Sequence, residues 1–142
     1  MSGLETGKYL IQLAAGSQPS IGVDAASGSP DKPVVTDGSA KIWFVKRLES
    51  GLYHLTIEDR GMLLFIQNEG RKLVGNEMPP PSVWSILPQD DGSYTIQVPN
   101  RVLPPTYWTV DRPYEMKYPV TLNILDFPFP QQNQKWYFRR LY

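Results

Sequence analysis

A chain of 142 residues, 41% hydrophobic and 20% charged, is the size and composition of one compact domain that buries a core without staples. Fourteen basic residues cancel fourteen acidic ones, which removes the electrostatic footprint of a nucleic-acid or polybasic membrane binder. There is no Cys, so disulfides, zinc–thiolate sites and cysteine nucleophiles are excluded; the apolar runs are too short to span a bilayer, and a cytoplasmic location is expected.

In chain order, the first element is Gly7-Lys8-Tyr9-Leu10-Ile11-Gln12-Leu13, with apolar residues two and four places after the Tyr. Gly51-Leu52-Tyr53-His54-Leu55-Thr56-Ile57 and Gly92-Ser93-Tyr94-Thr95-Ile96-Gln97-Val98 repeat that period-two pattern of a half-buried strand, at spacings of 44 and 41 residues. Trp43 and Trp84 each lie eight residues before the next such Gly, and Trp136 supplies a third. Two further strands are expected between each Tyr strand and its Trp strand: 21–24 and 34–36 before 41–48, 62–67 and 72–74 before 83–87, and 103–110 and 120–125 before 135–141. Turn residues such as Asp37-Gly38-Ser39 and Asp59-Arg60-Gly61 separate them. Twelve short strands in three four-strand repeats, at about 1–49, 50–90 and 91–142, are the layout of a single all-β domain, a β-trefoil, with Tyr and Trp filling the shared core.

No catalytic chemistry stands out. The one His, His54, alternates with the inward Tyr53, Leu55 and Ile57, so it points outward. The carboxylate pairs Glu58-Asp59 and Asp90-Asp91 fall in hairpin turns, and no phosphate loop, metal spacing or dinucleotide fingerprint is present. The expectation is a non-enzyme without cofactor or metal that works through loops held by the repeated core.

Leu4-Glu5-Thr6-Gly7-Lys8-Tyr9-Leu10-Ile11, Pro33-Val34-Val35-Thr36 and Lys41-Ile42-Trp43-Phe44-Val45 resemble the cysteine-free β-trefoil protease inhibitors of mushroom fruiting bodies, the mycospins and mycocypins. The resemblance implies a monomeric cytosolic defence protein whose partner is a trypsin-like, papain-like or legumain-type protease. The first loop, Ala14-Ala15-Gly16-Ser17-Gln18-Pro19-Ser20, lacks the Gly-Gly pair of the mycocypin pattern, which favours serine over papain-like proteases.

A substrate-like inhibitor puts an extended loop into the protease cleft on a rigid scaffold. Lys32 and Arg112 precede prolines and are poor at that task, which leaves Arg60-Gly61, Arg101, Phe127 and the long loop containing Ala26, Ser27, Gly28 and Ser29 as protease-binding candidates. Asn68, Asn76 and Asn100 are the candidates for legumain, which cleaves after Asn. A lectin is the alternative: Gln134-Lys135-Trp136 matches the Q-x-W mark of ricin-B-type lectins for galactose- or amino-sugar glycans, with Asp24 as the sugar carboxylate and Trp108 or Tyr114 as the stacking ring.

Overall fold

A computed structural model describes residues 3–26, 28–99, 104–124 and 129–141. Twelve strands run in chain order: β1 (Gly7–Leu13), β2 (Ile21–Val23), β3 (Lys32–Thr36), β4 (Trp43–Arg47), β5 (Tyr53–Asp59), β6 (Met62–Glu69), β7 (Lys72–Asn76), β8 (Val83–Pro88), β9 (Tyr94–Gln97), β10 (Tyr107–Thr109), β11 (Thr121–Asn123) and β12 (Trp136–Arg140). The one helical element among them is a 3-10 turn at Gln132–Gln134. No helix among the described residues is long and apolar enough to cross a membrane.

The strands that carry the repeated Tyr and Trp residues close a ring. β1 pairs with β4, β4 with β5, β5 with β8, β8 with β9, β9 with β12, and β12 returns to β1, every step antiparallel. Closure removes the free edges that an open sheet would leave to aggregate. The remaining strands form three hairpins, β2–β3, β6–β7 and β10–β11. These lean on one another through β3–β7 and β7–β11, and the third side is closed where Val120 N–H donates to Val34 and Thr36 N–H to Tyr118, both at 2.9 Å.

Two of the turns are copies of each other. Leu48 N–H donates to Leu52 O and Gly51 N–H to Leu48 O; forty-one residues on, Gln89 N–H donates to Ser93 O and Gly92 N–H to Gln89 O. Gly51 and Gly92 sit at φ of 88° and 87°, where a side chain is strained, so the Gly of the Gly-x-Tyr pattern is a backbone requirement there.

Alternation along the ring strands sends Ile11, Leu13, Val45, Leu55, Ile57 and Ile96 into a dry interior. At its centre are four fully buried tryptophans. The ring of Trp108 lies 5.8 Å from Trp43, 5.2 Å from Trp84 and 6.3 Å from Trp136, centroid to centroid, the last two edge-to-face. The indole N–H of Trp43 donates to Ile21 O at 2.9 Å and that of Trp136 to Trp108 O at 3.3 Å. These bonds show that Ile21 of β2 and Trp108 of β10 hold equivalent places.

The strands agree with the sequence expectation in number and order, and the third group is shorter than expected. β10 begins only at Tyr107, after Pro104-Pro105, and β11 ends at Asn123; residues 103 and 125 lie outside the described residues.

The Asp91 carboxylate accepts from the Ser93 hydroxyl at 2.5 Å, the Ser93 amide at 3.0 Å and Lys135 Nζ at 3.1 Å, which ties the β8–β9 turn to the start of β12. The Ser93 hydroxyl, then its amide and Lys135, hold the Asp91 pKa down to about 2, from an ordinary 3.8. A depressed carboxylate stabilises the fold above its unfolded pKa and loses that contribution as pH falls through the folded value. Asp91→Asn is therefore expected to lower stability at neutral pH by less than about 1 kcal/mol, given solvent screening, and to match the native protein near pH 2, read from denaturation midpoints at the two pH values. Trp108→Ala should cost about 3 to 5 kcal/mol by opening a cavity among the other three rings, in the same measurement.

Candidate functional site

Residues 24–31 connect β2 to β3, and Ala26, Gly28, Ser29 and Pro30 are exposed on the loop they form. Ser27 lies outside the described residues. Both feet of the loop are fastened by short polar side chains. On the β2 side Ala25 N–H donates to Ser39 Oγ at 3.1 Å and Ala26 N–H to Asp24 Oδ1 at 3.2 Å. On the β3 side Asp31 N–H donates to Ser29 Oγ at 3.2 Å, and the Asn76 amide donates to the Asp31 carboxylate. The Glu69 carboxyl also bonds Asp31, and that bond and the Asp31 charge raise the Glu69 pKa. Asp24 is thus a loop cap, since a carboxylate that binds the amide two residues on closes a local turn. Beside the loop is a groove of about 360 Å³ between Ser29, Pro30 and Lys32 on one wall and Met62, Asn76 and Met78 on the other.

The other protease-binding candidates divide by backbone. Arg60 and Gly61 form the two-residue turn between β5 and β6, at φ of 53° and 83°, with Asp59 paired to Met62. That is hairpin-turn geometry, whereas a substrate-like loop presents extended backbone. The Arg60 side chain is 86% exposed, with its Nε 3.9 Å from Asp59 Oδ1. Asn68 lies within β6 and its amide oxygen accepts from Ser82 Oγ at 2.9 Å; Asn76 ends β7 and is committed to Asp31 and to the Met78 amide. Lys32 opens β3 opposite Gly75. Asn100, Arg101 and Phe127 fall outside the described residues.

The sugar-stacking role expected of Trp108 is corrected by its position: it has no exposed surface, because the interior needs its ring among the other three tryptophans. Tyr114 is 88% exposed on the β10–β11 connection. Gln134 of the Q-x-W mark is buried, donating to Thr109 Oγ1 at 3.1 Å and Ile124 O at 3.3 Å. It forms one wall of a polar cavity of about 170 Å³ that also takes in Arg71, Asp111, Asn123, Gln131 and Asn133. Within it the Asn123 amide donates to Asp111 Oδ1 at 3.0 Å, the Arg71 guanidinium donates to Asn123, and Asn133 donates to Val110 O at 3.1 Å.

Asp111, which the cavity brings among these amides, is not among the sequence candidates. The usable signal was that Asp111 follows the second strand of the group that carries the Q-x-W, just as Asp24 follows β2. Among the described residues no group of three or more His, Cys, Asp and Glu is placed to hold a metal ion.

No family model matches the chain, and no curated protein matches its sequence. Solved structures do match. A proteinase inhibitor from Coprinopsis cinerea is similar at a TM-score of 0.75 and 14% identity, covering 98% of this chain and 100% of that one. The Macrolepiota procera ricin B-like lectin in complex with lactose matches at a TM-score of 0.70 and 16% identity, over 99% of each chain. The Rhizoctonia solani agglutinin matches at 0.75 and 15%, again over 99% of each. A match to Cry35Ab1, at 0.75 and 16%, takes in 96% of this chain but 36% of that one. At these identities the likeness carries the all-β fold alone.

If the Asn76–Asp31 bond holds the loop, Asn76→Ala should speed nicking within residues 24–31 by a broad-specificity protease several-fold. Global stability, read from the denaturation midpoint, should fall by only about 1 kcal/mol, because the bond is only partly buried.

Proposed function

We propose that this chain is a three-repeat β-trefoil, with repeats at about 1–49, 50–90 and 91–142 in one domain, that works as a protein inhibitor of proteases. Serine proteases of the trypsin and chymotrypsin type are the favoured targets, met by the β2–β3 loop. The repeat assignment is supported by the Gly-x-Tyr and Trp spacing, by the six-strand ring that carries those residues, and by the turn hydrogen bonds that recur 41 residues apart. The observation that carries the inhibitor reading is the exposed loop tied at both feet by Ser39, Asp24, Ser29 and Asn76. A loop whose feet are already fixed before binding loses less conformational entropy in a protease cleft, and that saving is what a tight inhibitor needs. The Coprinopsis inhibitor shows that this fold accommodates such a role in another protein. A defence role and a cytoplasmic location belong to the same reading.

The test is titration of trypsin, chymotrypsin, papain and legumain with the native protein and with a variant whose residues 25–30 are replaced by Gly and Ser. Stoichiometric inhibition of a serine protease, weakened about a hundredfold by the replacement, is the expected result. Inhibition confined to papain or legumain overturns the serine assignment, and silence across the panel overturns the inhibitor reading.

The polar cavity favours a second reading, binding of a galactose- or amino-sugar glycan. Asp111, Asn123, Gln131 and Asn133 bring a carboxylate and several amides together, so donors and acceptors of the kind that meet sugar hydroxyls converge in one cavity. The carboxylate in this reading is Asp111, with Tyr114 the one exposed ring on the same connection. A glycan array should then give galactose- or amino-sugar hits that disappear in Asp111→Ala; an empty array ends this reading.

A further inference from the structure

The alternation that turns Trp43, Val45, Leu55, Ile57 and Leu64 inward turns a second set of side chains outward from β4, β5 and β6. Cross-strand register sorts them into three rows. Lys46 lies opposite His54; Phe44 lies opposite Thr56, and Thr56 opposite Phe65; Glu58 lies opposite Leu63, with its amide donating to Ile42 O. The face therefore has a basic end, an aromatic middle and an acidic end. Phe44, Ile42 and Leu63 are 39%, 43% and 45% exposed, and two shallow depressions of about 160 and 240 Å³ adjoin there, sharing Phe44 and Leu63. Exposed apolar side chains grouped on one face in this way, rather than scattered singly, are what a protein contact uses.

We propose that this face is where two copies of the chain pair, related by a twofold axis that runs across the strands along the Phe44–Phe65 row. Lys46 and Glu58 are one row either side of that line. The twofold operation reverses strand direction, so it lays each Lys46 against the partner's Glu58 while aromatic rows meet in the middle. Isologous pairing requires a surface that is its own complement, and opposite charges equidistant from an apolar centre are such a surface. Among the described residues neither Lys46 nor Glu58 is engaged in an ion pair, so both are available. His54 adds no repulsion at neutral pH, because burial and then the Lys46 ammonium hold its pKa below the ordinary imidazole value. The opposing term is Lys8, the register partner of Phe44, which the axis brings near its own copy. It is exposed in the single chain and lines the same depression as Ile42 and Phe44, so its repulsion is a cost that the aromatic and charge contacts must exceed. The chain's zero net charge leaves no long-range repulsion to overcome. A dimer departs from the monomer expected of the sequence.

The proposal is tested by mass measurement over a concentration series, using sedimentation or light scattering, on the native protein and on Phe44→Ser, Lys46→Glu, Glu58→Lys and the double exchange Lys46→Glu/Glu58→Lys. Circular dichroism of each variant confirms the fold. The native protein should dimerise at micromolar concentration, Phe44→Ser should weaken the dimer by roughly tenfold or more, and each single charge reversal should weaken it while the double exchange restores it. A native protein that stays monomeric throughout overturns the proposal. So does a dimer indifferent to all four variants, which must use another face. A monomer in which Phe44→Ser instead lowers protease inhibition also overturns it and gives the face to the protease.

Discussion

The packing of three indole rings around Trp108 is the constraint on which the rest of this molecule depends. Trp43, Trp84 and Trp136 each lie at or next to the start of a strand of the six-strand ring, and each reaches the same central ring within 6.3 Å. Large buried aromatics carry much of a core's energy, so ring strands that come from distant parts of the chain are registered against one another by a single side chain. The loops inherit their fixed ends from that arrangement. Departures from regularity are visible in the same place: the Trp84 and Trp108 indole N–H groups have no hydrogen-bond partner among the described residues, although Trp43 and Trp136 each find a carbonyl.

Much of this was legible in the sequence because the code for it is local. Gly-x-Tyr with apolar residues at alternate positions reports a strand after a turn, and Trp at a fixed distance before the next Gly reports the strand that leads into it. Trp108 was not legible as the centre. Its equivalent in the first group is Ile21, so nothing at the repeat spacing announces an indole, and a lone Trp near Tyr114 looked like surface until its depth was known. Depth depends on where three hairpins converge, which strand pattern alone does not encode. The third strand pair was overlong in expectation for a related reason: apolar residues continue through 103–110, but the Pro104-Pro105 pair supplies no ladder donors.

The candidate sites divide along the same line. The length of the β2–β3 loop could be read from the run Ala25 to Pro30, yet its brace could not, because Asn76 ends β7 and Ser39 lies in the β3–β4 connection. Arg60 invited attention as an exposed base beside Gly, and the positive φ of both residues shows the hairpin turn that the pair also encodes. Asp24 and Asp111 each follow a second strand. What separates them is the neighbour: Asp24 turns back on its own loop amide, whereas Asp111 meets Asn123 from β11.

Ring closure has one more consequence. β12 lies beside β1 over five register pairs, and Leu141 N–H donates to Lys8 O at 2.8 Å, so the first and last strands are sheet neighbours like any other two. The order in which the strands are strung together is then separable from the way they pack. A gene in which a short linker joins the end of β12 to the start of β1, with new termini cut at the exposed β6–β7 turn around Gly70, describes the same ring and the same four indoles. The molecule has, in that sense, no privileged starting strand: its architecture is circular, and the chain is one of several ways to open the circle.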